Sequence, residues 1–74
     1  MDHHVAYSLG AAYAQLDRFE EASTWLDRAV TSGFPCYPWY ARDPLLESFR
    51  RDSTGHAFLE RLRTQWTAAK ARYD

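Results

Sequence analysis

The chain has 74 residues, 46% of them hydrophobic and twelve aromatic, and carries a net charge of −1. That length allows one domain with a small core, and the apolar content excludes a disordered chain. No apolar run nears the roughly 20 residues that span a bilayer, a charge near zero argues against a general polyanion binder, and the single Cys36 rules out an internal disulfide or a cysteine metal cluster.

Apolar spacing predicts a first helix over 3–16. At about 100° per residue, Val5, Ala6, Leu9, Ala12, Tyr13 and Leu16 share one face, which is expected to turn to the core. The other face carries His4, Tyr7, Ser8, Ala11, Ala14 and Gln15. No Asp, Glu, Lys or Arg stands between His3 and Leu16, and a helix with no charged side is usually covered on more than one side.

Asp17, with Glu20 three residues on, predicts the capped start of a second helix, whose dipole also favours Glu20 and Glu21 in its first turn. Phe19, Ala22, Leu26, Ala29 and Val30 form its apolar stripe, with Trp25 at the edge and Gly33 as the left-handed residue after its end. Gly33, Pro35 and Pro38 then mark 34–40 as a connection that cannot continue a helix. A short third helix is expected to start at Asp43 with Pro44 in its first turn, burying Leu45, Leu46 and Phe49. Asp52, Ser53 or Thr54 caps a fourth helix running to about residue 72, with Phe58, Leu59, Leu62, Trp66, Ala69 and Tyr73 along its apolar side. Trp39, Tyr40, Phe49, Phe58 and Trp66 are expected to seal the two resulting hairpins together.

The first hairpin reads Ala6-x2-Leu9-Gly10-x2-Tyr13, then Ala22-x3-Leu26 and Ala29. This resembles a tetratricopeptide repeat, in which small residues sit where two antiparallel helices approach most closely. Ala6 stands where the repeat has a large aromatic, and Phe34 stands where it has its closing proline. The run Gly33-Phe34-Pro35-Cys36-Tyr37-Pro38-Trp39-Tyr40, with Arg42-Asp43-Pro44-Leu45-Leu46 and Leu59-Glu60-Arg61-Leu62-Arg63, is similar to the segment that ends bacterial arrays of such repeats. Ser53 and Gly55 depart from that segment at the start of its last helix. The resemblance implies an all-α fold of antiparallel helical hairpins, an α-solenoid fragment of about four helices. Residues 3–36 would be the repeat hairpin, and 37–74 an aromatic linker with a degenerate capping hairpin. It also implies a non-catalytic protein–protein interaction module that closes the C-terminal end of an array. A structural cap without its own ligand and a small self-assembling adaptor are the alternatives.

Such arrays bind peptides in a groove lined by the first helix of each repeat, which places His4, Tyr7, Ala11 and Ala14 on the candidate interaction face. None of these is the Lys or Asn that clamps a terminal carboxylate, so a peptide segment or a neighbouring repeat is the expected partner. With no preceding repeat among these residues, the isolated chain is expected to pair as a homodimer. Phe34, Tyr37, Trp39 and Tyr40 form a second candidate patch, whose simpler role is to fill the gap between hairpins.

Catalytic, cofactor and metal sites are not expected. His3 and His4 are adjacent, so on a helix they point about 100° apart, and His56 and Cys36 have no ligand spacing. No nucleophile–base pair, phosphate-cradling glycine loop or dinucleotide fingerprint is present. Arg63 and Lys70 flank one edge of the last apolar stripe, and Arg61 and Arg72 the other, which suits stems covering a core rim and not a phosphate track. Nucleic acid and membrane are therefore not expected partners. The cytoplasm is the expected compartment, and eight arginines to one lysine suggest a GC-rich bacterial genome.

Overall fold

The computed structural model describes residues 2–73, whose regular structure is helical throughout: α1 (His3–Gln15), α2 (Phe19–Thr31), α3 (Tyr37–Arg42), a 3₁₀ turn (Pro44–Leu46), α4 (Glu47–Arg51) and α5 (Ser53–Tyr73). The all-α hairpin fold read from the sequence is therefore the observed one. The side chain of Tyr73, expected on the last apolar stripe, lies outside the described part.

Asp2 opens α1 by accepting the His4 N–H at 3.1 Å. Both helices of the first hairpin end in the same way. Arg18 N–H reaches the Tyr13 carbonyl and Asp17 N–H the Ala14 carbonyl, with Asp17 left-handed at φ 58°. Phe34 N–H reaches Ala29 and Gly33 N–H reaches Val30, with Gly33 at φ 130°. These are paired Schellman closures, which satisfy carbonyls the helices would otherwise leave open. Gly33 ends α2 as expected. Asp17 does not cap α2, because it is consumed in ending α1; Arg18 takes the cap position with no side-chain bond.

α1 and α2 pack closely through small residues. A Cβ on Gly10 would lie 2.5 Å from Leu26 Cδ2, and Ala6, Ala22 and Ala29 are fully buried. The close approach that the Leu-Gly-x2-Tyr spacing implied is thus present at Gly10.

The connection departs from expectation. Tyr37–Arg42 forms a helix, since Pro38 falls in the first turn, where a missing N–H costs nothing. Asp43 then caps the 3₁₀ turn through Leu45 N–H at 2.9 Å, so the expected third helix begins as 3₁₀ and continues as α4. Leu46 and Phe49 are buried as expected, but Leu45 is exposed. Asp52 caps α5 by accepting Thr54 N–H at 2.9 Å.

Tyr40, Phe49 and Phe58 are fully buried with Leu26 and Leu46, and join the two halves of the chain. Burying side chains of this size is worth about 1.5–3 kcal/mol each. Trp39 and Trp66, expected in the same seal, are outside it: Trp39 is exposed and Trp66 half-buried beneath Lys70, whose Nζ lies 5.9 Å from the ring centre. α5 is simply longer than the body it packs on. Its contacts with the core come through Gly55, Phe58, Leu59 and Leu62, and Ala69 on the same stripe is exposed.

Gly55 marks a departure from the resembled segment and has a steric cause. A Cβ there would lie 1.8 Å from the Phe49 carbonyl oxygen, so α5 crosses the end of α4 at a distance only glycine permits. Gly55→Ala gains about 1 kcal/mol of helix propensity, but overpacking against a backbone wall costs more, typically up to about 3 kcal/mol. The variant is expected to lose about 2 kcal/mol net, lowering the thermal midpoint by about 10 °C. A midpoint equal to or above that of the parent would contradict this packing.

Candidate interaction site

The residues proposed from the sequence as the open face of α1 are divided by the fold. Ala11 and Ala14 are buried, because the 3₁₀ turn and α4 fold back over them. Ser48 Oγ fastens that cover by donating to the Ala14 carbonyl at 3.2 Å. These two alanines are therefore core residues, and that part of the expected interaction face is corrected. The opposite error occurs across the helix. Val5 is 50% exposed, Leu9 36% and Leu16 68%, and Ala12 between them is also exposed. At i, i+4, i+7 and i+11 they form one apolar stripe facing solvent.

His4 and Tyr7 remain accessible and line a groove of about 410 Å³ together with His3, Ser8, Phe34 and Trp39. Its wall is a run of rings in mutual contact. His3 stacks on Phe34 at 5.9 Å between centres, and Phe34 meets Tyr7 and Trp39 edge to face at 5.7 and 6.2 Å. Such edge-to-face pairs are favourable beyond their buried area. Trp39 separates this groove from a smaller hollow of about 240 Å³ lined by Arg42, Asp43 and Pro44. Of the four residues in the aromatic patch, Phe34 and Trp39 line the groove, Tyr40 is fully buried, and Tyr37 is half-buried against the core.

Tyr7 and the segment behind the groove are held by hydrogen bonds of which the sequence holds little sign. Tyr7 Oη donates to Asp43 Oδ2 at 2.5 Å, while Asp43 Oδ1 holds the 3₁₀ turn. One carboxylate thus ties α1 to the connection. Burial, then the Asp43 hydrogen bond and negative charge, push the Tyr7 hydroxyl far above the ordinary tyrosine range, so it stays a donor. Tyr40 Oη donates to the Phe34 carbonyl at 2.7 Å, and its acidity is likewise suppressed by burial. Arg50 Nη1 donates to the carbonyls of Tyr40 and Asp43 at 3.0 and 2.7 Å, closing the end of α3. An Asp-Pro pair in the linker and a tyrosine on an uncharged helix were the available signals, but neither names the other.

The rings of His3 and His4 do not diverge as ideal helix geometry suggested. Their centres are 4.2 Å apart, and both Nδ1 atoms approach Asp2 Oδ1, at 3.9 and 3.2 Å. At the first turn, two flexible χ angles outweigh the 100° between Cα positions. Cys36 is a free, half-buried thiol in the connection.

No known family model, curated protein or solved structure matches this chain.

Tyr7→Phe removes the donor and leaves the part-buried Asp43 carboxylate without that bond. Hydrogen bonds to charged groups are worth about 1.5–3 kcal/mol, and a loss in that range is expected in urea denaturation. An unchanged midpoint would show that the bond does not hold the connection to α1.

Proposed function

We propose that the chain is a non-catalytic protein–protein interaction module of tetratricopeptide-like form, whose working surface is the outer side of α1. The observation that carries this reading is the exposure of Val5, Leu9, Ala12 and Leu16 in line on a helix with no charged residue from His3 to Leu16. Scattered exposed apolar residues are ordinary, but an aligned stripe on an uncharged helix is suited to receive another helix. The close Gly10–Leu26 contact and the Schellman-closed hairpin support the repeat-like reading. In that reading, the α3–α5 half covers one side of α1 as the closing segment of an array, and a neighbouring helical hairpin covers the other.

In the isolated chain a second copy is the available cover. The stripe is small beside the roughly 800 Å² per partner of a standard interface, so weak, concentration-dependent dimerisation is expected. Sedimentation equilibrium over a wide concentration range should show it, and Leu9→Glu with Leu16→Glu should abolish it while leaving the helical circular dichroism unchanged. A parent chain that stays monomeric throughout, or a double variant that associates equally well, would sink the reading.

The groove beside Tyr7 favours a second mode, capture of an extended apolar segment between the ring wall and Ser8. In that mode Trp39, being exposed, reports binding by its fluorescence.

A further inference from the structure

We propose that Asp2, His3 and His4 form a binding site for a divalent transition-metal ion of the Zn²⁺ class, at the rim of the groove. The three side chains each offer one donor atom, and these lie within 4.8 Å of one another. Zinc holds nitrogen and carboxylate oxygen at about 2.0–2.2 Å, which sets neighbouring ligands of a tetrahedral site about 3.3–3.5 Å apart. The observed separations from Asp2 Oδ1 are 3.2 Å to His4 Nδ1 and 3.9 Å to His3 Nδ1, on either side of that value. Small χ rotations of the exposed Asp2 and His4 side chains are enough to close the set. Two imidazoles and one carboxylate are a ligand class that zinc accepts, with the fourth position left to water or to a partner's side chain.

The surroundings set the strength. The site stands at the start of α1, where the helix dipole disfavours a cation. The negative charge of Asp2 opposes that penalty. His4 and Asp2 are exposed, so the ion would be reached directly from solvent and held at micromolar strength, short of the affinity of a buried structural zinc. His3 is partly covered, with its ring packed on Phe34, which fixes one ligand in advance. Because His3 and His4 also line the groove, a bound ion would add a positive charge and an open coordination position to its edge.

Titration calorimetry with Zn²⁺ alone tests this on the full chain. One ion per chain is expected, with affinity lowered at least about tenfold by each of Asp2→Asn, His3→Gln and His4→Gln, the loss that even removing an indirect partner brings. Asp2→Asn keeps a residue able to cap α1, so circular dichroism should be unchanged. Cys36→Ser and His56→Gln should leave binding as it was. In the unmodified chain, Zn²⁺ should shift the ring signals of His3 and His4 in NMR spectra and spare those of His56. Absence of binding at millimolar Zn²⁺ would overturn the proposal. So would binding that survives any one of the three ligand variants undiminished, or that is lost with Cys36→Ser.

Discussion

The burial of the Tyr40 ring is the contact on which the two halves of this chain depend. It lies against Tyr7 of α1, Phe34 of the connection and Phe58 of α5, at 5.1, 5.5 and 5.7 Å between ring centres. Its hydroxyl is satisfied by the Phe34 carbonyl and its own carbonyl by Arg50, so a polar-tipped ring is buried without an unmet hydrogen bond. Phe49 extends the cluster to Phe19 and Phe58. A chain of this length has little core to spare. Three fully buried aromatic rings are what allow α5 to be held on the hairpin at all.

That packing gives α1 its asymmetry. The half of the helix surface centred on Ala6, Gly10, Ala11 and Ala14 is buried, between α2 on one side and the α3–α4 segment on the other. The remaining half has no charge, and it passes from the His4–Ser8 side of the groove to the Val5–Leu16 stripe. Elsewhere the exposed surface carries the ordinary charged pairs, such as Arg51 with Glu47, Arg63 with Glu60 and Arg18 with Glu21. Such pairs add little to stability. None of these three pairs falls on α1, whose outer half keeps its apolar side chains in solvent.

The helices other than Tyr37–Arg42, the α2 stripe, the Gly33 closure, a start at Asp43 and a cap among Asp52, Ser53 and Thr54 were legible in the sequence, because each rests on local chemistry. The errors share a different cause. Choosing which face of α1 is buried requires knowing what folds back on it, and Ala11 and Ala14 are covered by residues more than thirty positions away. A wheel that weights Leu and Val above Ala then selects the wrong side, since the close contacts here are made by small residues. Asp17 shows a competition between two local roles, ending one helix or capping the next, in which the tight turn before Arg18 decided the outcome. Tyr37–Arg42 was hidden by its prolines, although Pro38 sits where a helix tolerates it. The pairing of Tyr7 with Asp43 was beyond local reading altogether.

The central claim is that the first hairpin and the α3–α5 half are one cooperative body, joined through Tyr40, Phe49 and Phe58. Native-state amide hydrogen exchange tests it most directly, because the most protected amides report the free energy of global unfolding. The account predicts that the slowest amides of α2, around Leu26, and of α5, around Phe58 to Leu62, exchange with the same free energy and the same denaturant dependence. Amides around Leu26 that stay protected while those around Phe58 open at a distinctly lower free energy would show α5 to be an appendage and contradict the claim.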